Sequence, residues 1–505
     1  MEEAEGSKRQ KLSVTRGDGS QILVRETRDL LSGLHDDLLH HIMSFMSMEE
    51  IIRTGFLSRR WRYLWRNIPF LDFALRPSNE EDRHTGERRV SFVETLLFRH
   101  KGSRVKKLCI NVDTYYINKY QVDSWIDYAL DGDVEELDLD FSAEDFPGSY
   151  LPGDELLYDL PPAIYRCETL QSLKLCCCDL NLPTSIHLRS LKTLCLTAVD
   201  LPTNAISALT SNCPVLEELS LKHCNIYLNL NISIPTKHLN ILRIIDQVDE
   251  FFDDTEMVID VPNLLSLEWK GCLLRDKYHI KRLSSLLKAR FDLEDALPDK
   301  LELFLHSLHH VQDLTIDCVF IQMLSTWEVQ NKDPLRLNVK CLELKTGLTK
   351  WELPGILYLL RSSPELETLV INITSSPNID IDDEIENQYD FSEREYWRSQ
   401  EHCFSSLMRN VRTIKIYNFF KGWCIYQEEE DDCSAVKELF KSHEHEIELI
   451  RVLLQYSDVL ERMIISKDCN GCVGENRSQI PFMVTVKVIN FPRTSPNADI
   501  IFSNF

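Results

Sequence analysis

The sequence predicts an α/β fold: a small N-terminal three-helix module followed by a curved solenoid with a parallel sheet on its concave face. Three observations predict it. Between residues 29 and 73, apolar side chains recur at helical spacing in three short runs. From Val105 onward, the pattern apolar-x-x-Leu-x-apolar returns twelve times. The chain has 505 residues, 43% of them hydrophobic, which permits a real core.

The helical module comes first. Leu34, Leu38, Leu39, Ile42, Phe45 and Met46 are expected on one helix face, with Asp36 and Asp37 in the first turn, where the helix dipole favours negative charge. Ser47-Met48-Glu49-Glu50 reads as a capping box that opens a second helix, with Ile51, Ile52 and Phe56 on its buried side. Ser58 is placed to cap a third, in which Trp61, Leu64 and Trp65 fall at i, i+3 and i+4, and Pro69 ends it. So small a bundle buries little surface. Leu34, Leu38, Leu39 and Trp61 offer more apolar area than it hides, so either a partner or the solenoid covers the excess.

The twelve repeats run from Val105/Leu108/Ile110 to Val411/Ile414/Ile416 and include a degenerate copy, Leu286/Ala289/Phe291. From Leu191 the starts step by 25, 23, 25, 22 and 25 residues (191, 216, 239, 264, 286, 311). That lies within the roughly 20–29-residue period of leucine-rich repeats. Each copy supplies one strand with its leucines inward and the residues between them outward. Asn204 to Leu209 and Pro354 to Arg361 are expected to be helical. The outward positions carry mixed charge: Glu136, Asp138, Lys174, Ser220, Arg243, Lys270, Glu343 and Lys345. Among these, Arg243, Lys270 and Lys345 are the candidate target-binding residues. Val484, Val486 and Val488 alternate with polar neighbours and are expected to form a final edge strand.

The net charge is 56 − 80 = −24. Such a chain repels phosphate backbones, so nucleic acid is not expected as a partner. No apolar run reaches the roughly 20 residues of a membrane helix, and the polar N-terminus lacks a signal peptide's apolar stretch. The cytoplasm or nucleus is the expected location, and the 16 cysteines are expected to be free thiols. No phosphate loop and no H-E-x-x-H metal helix is present. Cys469-Asn470-Gly471-Cys472 has zinc-knuckle spacing without a second pair, and His443 and His445 fall on different helix faces. No catalytic residue, metal or cofactor is therefore assigned. The acidic runs Asp380 to Glu386 and Glu428 to Asp432 read as solvated loops, and residues 1–28 as a flexible tail.

The run from Asp29 to Ile42 resembles the opening of a plant F-box, and Leu57 to Trp65 resembles its closing helix. Tyr396 to Ser466 is similar to the FBD module that follows such repeats; Trp397, Cys403, Leu407, Val411 to Ile416, Phe419, Phe420, Gly422, Glu446 to Ile450, Leu453, Leu454 and Val459 to Ile465 carry the likeness, and the stretch reads as strand, loop, helix and strand. The resemblance is to the plant F-box/FBD/leucine-rich-repeat family. It implies a non-catalytic, substrate-recruiting adaptor subunit of an SCF-type ubiquitin ligase. The partners implied are a Skp-family adaptor, through it a cullin, and an unknown target protein. The implied adaptor contacts are Leu34, His35, Leu38, Leu39, Ile42, Leu57, Ser58 and Trp61. His35 stands where the family usually has proline, and it lacks the pre-set backbone that proline supplies.

The organisation expected is therefore a tail over 1–28, an F-box-like module over 29–73 and a linking helical segment over 74–104. A leucine-rich-repeat solenoid follows over 105–395, an FBD-like module over 396–466, and a C-terminal strand and tail over 467–505. The alternative function is an interaction scaffold without ligase engagement. A small-molecule co-receptor ranks last, because the outward positions form no basic floor.

Overall fold

Period-two alternation commits a segment to a half-buried strand, and 3.6-residue periodicity commits it to a helix. Both signals are realised in a computed structural model. It describes residues 31, 33–74, 83–100, 104–112, 118–142, 157–202, 204–224, 229–234, 237–246, 255–281, 283–296, 298–374, 389–419, 443–466 and 485–503. The chain divides into two compact units between Ile68 and Pro69.

The first unit holds α1 (Asp36–Met43), α2 (Met48–Arg53) and α3 (Trp61–Leu64), the last running into a 3-10 turn, Trp65–Asn67. The capping box forms in full: Glu50 N–H donates to Ser47 Oγ at 3.3 Å, and Ser47 N–H donates to Glu50 Oε2 at 2.9 Å. Trp61 N–H donates to Ser58 Oγ at 3.4 Å, but the N-cap position of the third helix falls to Arg60, whose side chain makes no cap hydrogen bond, and not to Ser58 as expected. Leu39, Met43, Ile51, Trp61, Leu64 and Trp65 make the core. Arg60 forms an ion pair with Asp36, tying the third helix to the first and holding the Asp36 carboxyl below the usual carboxylate range.

The second unit runs β1 (Phe70–Ala74), α4 (Arg83–Arg99), β2 (Lys107–Asn111), α5 (Lys119–Asp131), β3 (Glu136–Asp140), β4 (Tyr158–Asp159), β5 (Ser172–Cys176), β6 (Cys178–Asp179) and β7 (Thr193–Thr197). It continues through α6 (Ala205–Thr210), β8 (Glu218–Lys222), β9 (Asn229–Ser233), β10 (Ile241–Asp246), β11 (Glu256–Asp260), β12 (Ser266–Leu273), β13 (Lys277–Lys281), β14 (Lys288–Ala296) and α7 (Pro298–Ser307). Then come β15 (Asp313–Ile316), α8 (Cys318–Val329), β16 (Cys341–Thr346), α9 (Leu353–Ser362), β17 (Thr368–Ile373), α10 (Glu393–Ser399), α11 (Glu401–Leu407), β18 (Thr413–Tyr417), α12 (Glu444–Tyr456), β19 (Arg462–Ser466) and β20 (Asp499–Ser503).

Among the described residues, fifteen strands form one parallel sheet, and each of the twelve repeats supplies one of them. The central leucines stack in register, Leu194 against Leu219 and Leu219 against Leu242, and all three are fully buried. Each such side chain contributes about 1.5–3 kcal/mol of transfer free energy. Cys177, Ala198, His223 and Asn418 directly follow strands and take left-handed φ angles of 49–57°. This bends the chain off the sheet while the N–H adds one more rung: Ala198 N–H donates to Lys222 O at 2.8 Å, and His223 N–H donates to Ile245 O at 2.7 Å. Because Cys177 breaks the strand, Cys176 and Cys178 lie in different sheets and not in one continuous strand.

What backs the sheet changes along the chain. Behind β8 to β14 the return segments β9, β11 and β13 pair into a second parallel sheet. Behind β15 to β17 the return segments are the helices α8 and α9. Gly355 lets these two pack backbone to backbone. Its N–H donates to Ser325 Oγ at 2.7 Å, and a Cβ there would lie 2.0 Å from Ile321 O. Farther on, Glu448 accepts from Arg398 Nε at 2.8 Å and from Arg451 Nε at 2.9 Å, which ties α10 to α12.

Three strands lie outside the twelve repeats. Ile68/Leu71/Phe73 obeys the repeat pattern, although the sequence reading carries the helical module to residue 73; Leu71 and Phe73 lie in β1. Leu460/Met463/Ile465 forms β19, where the FBD likeness places a strand. The expected edge strand around Val484 to Val488 is not one. Residues 485–489 form a helical turn with Val488 buried and Val486 and Ile489 exposed, and the edge strand is β20, ten residues later. Val484 lies outside the described residues; at Val486 and Val488 the spacing fits either structure, and the helix forms. The acidic runs, Cys469 to Cys472 and the basic residues near the N-terminus lie outside the described residues.

Candidate docking face and target-facing sheet

The first candidate surface is on the helical unit. Leu38 and Ile42 sit four residues apart on α1, hence on one face, and both are exposed, Leu38 by 53%. Leu57 is 63% exposed, and Ser58 and Leu34 are half-buried. Two of the expected contacts behave otherwise. Leu39 and Trp61 are buried, at 0% and 3% exposure. They hold the surface up and do not form it. Phe45 (79% exposed) and Phe56 (91%) replace them as outward apolar groups. Sequence reasoning counted Phe45 in a helix face and Phe56 as buried. The first helix stops at Met43 and a 3-10 turn begins at Thr54, and both phenylalanines fall just past those breaks. Side chains this large, left in water on so small a unit, make this face a candidate interaction surface.

His35 caps α1 with φ −64° and ψ 149°, and its side chain makes no cap hydrogen bond. Its Nδ1 lies 3.2 Å from Asp37 Oδ2, with both groups well exposed. The φ value already matches the angle that proline would impose.

The second candidate surface is the outward face of the sheet. Its charges pair across strands. Lys174 Nζ lies 3.3 Å from Asp138, Lys288 Nζ 3.1 Å from Asp313, and Arg290 Nη2 3.9 Å from Glu343. Cross-strand pairs of this kind contribute roughly 0.2–1 kcal/mol each and fix register. Two of the three candidate target-binding residues belong to this lattice. Arg243 pairs with Glu218 and, at 3.2 Å, with Glu268; Lys345 Nζ pairs with Asp292 at 2.9 Å. Lys270 is exposed and has no ion-pair partner among the described residues. Ser220, expected outward, is buried: it is a short side chain in register between Cys195 and Arg243.

Buried titratable groups in the sheet serve structure. Asp317 caps α8 by accepting from Phe320 N–H at 3.1 Å, and it also accepts from Leu293 N–H. Burial pushes its carboxyl up to about 7, with Asp292 adding to the rise, against those two backbone donors. Burial likewise pushes the Cys109 thiol up to about 11, away from nucleophilic reactivity. Among the described residues, no group of three His, Cys, Asp or Glu side chains is placed to hold a metal ion. No helix among them is long and apolar enough to cross a membrane.

Comparison with known proteins separates the same two parts of the chain. Residues 31–73 match the F-box domain model, and residues 96–424 match the At1g61320/AtMIF1 LRR domain model. The chain is 28% identical to the Arabidopsis thaliana F-box/LRR-repeat protein At5g02910 over 403 residues, covering 76% of this chain and 81% of that protein. It is 30% identical to F-box/LRR-repeat protein At4g14103, covering 68% and 91%, and 27% identical to F-box/FBD/LRR-repeat protein At4g26340, covering 68% and 76%, both also from Arabidopsis thaliana. A helical module with apolar groups in water, a parallel sheet built on leucine repeats and these matches lead to one assignment: the chain belongs to the F-box/LRR-repeat family.

Proposed function

We propose that this chain recruits substrates to an SCF-type ubiquitin ligase. The helical module docks on a Skp-family adaptor and through it reaches a cullin, while the outward face of the sheet binds the target. Holding the target beside a loaded conjugating enzyme raises its effective concentration, so transfer requires no catalytic group from this chain. Such a subunit works in the cytoplasm or nucleus. Residues 396–466 act in this scheme as an FBD-like continuation of the solenoid. The observation that carries the reading is the set of exposed apolar side chains Leu38, Ile42, Phe45, Phe56 and Leu57.

The test is co-purification with a Skp-family adaptor. Leu38→Ala with Leu57→Ala is expected to lower adaptor binding by about 100-fold, roughly 3 kcal/mol, without unfolding either unit. Unchanged recovery of the adaptor would leave only the scaffold reading. Trp61→Ala is unsuited to this test, because that buried indole supports the unit's own core. Among the candidate target contacts, Lys270 leads, since Arg243 and Lys345 are engaged within the sheet.

A further inference from the structure

Immediately before the strands, the chain forms a continuous backbone rung from repeat to repeat. Asn240 N–H donates to Glu217 O at 2.9 Å, Leu265 N–H to Asn240 O at 2.9 Å, Leu287 N–H to Leu265 O at 3.0 Å, and Gln312 N–H to Leu287 O at 2.9 Å. Beyond Asn240 and Gln312 the side chains along this rim are charged, as at Lys192 and Glu217 before and the ion pair Lys340–Glu367 after. Between them stand Leu265 and Leu287, 40% and 42% exposed. Ile241, in register with Ser266, widens this apolar gap.

The other end of the same strands is different. Ile245 lies in register between Lys222 and Lys270. Neither lysine has an ion-pair partner among the described residues, whereas Arg243, Lys288, Arg290 and Lys345 all do. Asp292, in register with Lys270, is occupied by Lys345. A paired cation must give up its partner to bind an anion, and an unpaired one keeps its full attraction. Five residues separate Leu265 from Lys270, about 16 Å of strand.

We propose that repeats β8 to β14 read an extended, acidic segment of the target protein. Its apolar side chain seats on Leu265 and Leu287, and a carboxylate some 16 Å away meets Lys222 and Lys270. This rests on the sheet being the target-binding face. A basic segment would meet two lysines that have no ion-pair partner among the described residues, and be repelled.

The test pans a display library of random twelve-residue peptides on the full chain, then measures enriched peptides by fluorescence anisotropy. Two double variants are compared, Lys222→Glu with Lys270→Glu and Leu265→Ser with Leu287→Ser. Each is checked for folding by circular dichroism. The expected result is enrichment of peptides that combine an apolar residue with Asp or Glu. Affinity should fall about tenfold in each variant, and the charge effect should shrink at high salt. Enrichment of basic peptides, no enrichment, or unchanged affinity in either variant would overturn the proposal. Proximity labelling with the same variants separates it from the broader reading. If interactors are lost from both variants without acidic enrichment, only the acidic segment is wrong. If both variants retain every interactor, the outward face fails as the target site as well.

Discussion

The helical unit and the repeat array dispose of their apolar residues in opposite ways. In the array the inward columns are closed: Leu194, Leu219, Leu242 and Leu314 have no exposed surface, and the outward charges neutralise one another across strands. The helical unit buries Leu39, Ile51 and Trp61 but leaves Leu38, Phe45, Phe56 and Leu57 in water. A repeat array can extend its core by stacking another strand, and three short helices cannot. Buried apolar columns therefore hold the array together, whereas the module leaves its apolar side chains in water.

The sharpest way to break the comparison is a substitution that should cost stability in the array and leave docking intact. Gly355→Ala puts a methyl group into the Ile321 carbonyl. It is expected to destabilise the array by about 3 kcal/mol or more, read by chemical denaturation, with adaptor binding unchanged. Leu219→Ala opens a cavity among fully buried neighbours and should cost about 3 kcal/mol, again without effect on the adaptor. Weaker adaptor binding in either variant would show that the module depends on the array's core.

Asp317 sharpens the comparison through pH. Its carboxyl is raised from 3.8 to about 7 in the fold. Between those values the folded state holds a proton that the unfolded state has released. Stability contributed by this group therefore falls as pH rises from about 4 to 7, by at most about 1.4 kcal/mol per pH unit. Asp317→Asn keeps a side-chain acceptor for Phe320 N–H and removes the titration. Denaturation at several pH values should show a flatter profile for the variant, and identical slopes would contradict the assignment.

The smallest effect is expected in the module. His35→Pro should tighten adaptor binding by about 0.5–1 kcal/mol, because φ is already −64° and the Asp37 contact it loses is exposed. Titration calorimetry on the two forms decides this. Equal or weaker binding by the proline form would mean that the histidine makes a contact of its own with the adaptor.

Much of this was legible because periodicity is a local signal. Each apolar-x-x-Leu-x-apolar copy became a strand, and Ser47 to Glu50 became a capping box, since both patterns act within a few residues. Candidate contacts were less legible. Spacing placed Leu38 and Leu39 in one helix but did not say which of them would be buried. It placed Arg243, Lys270 and Lys345 outward without showing that Glu218, Glu268 and Asp292 would occupy two of them.

The sequence by itself determined the repeat count of the array's main body, the parallel strand direction that repetition forces, the three-helix module and the family. Only the tertiary structure decided which segments back the sheet, that Phe70 to Ala74 begins it, and which charged groups are paired. Alternation and helical spacing are written in neighbouring residues. Pairing, burial and neutralisation depend on side chains brought together from some 20 to 50 positions apart, as Lys345 is with Asp292, and no local pattern records them.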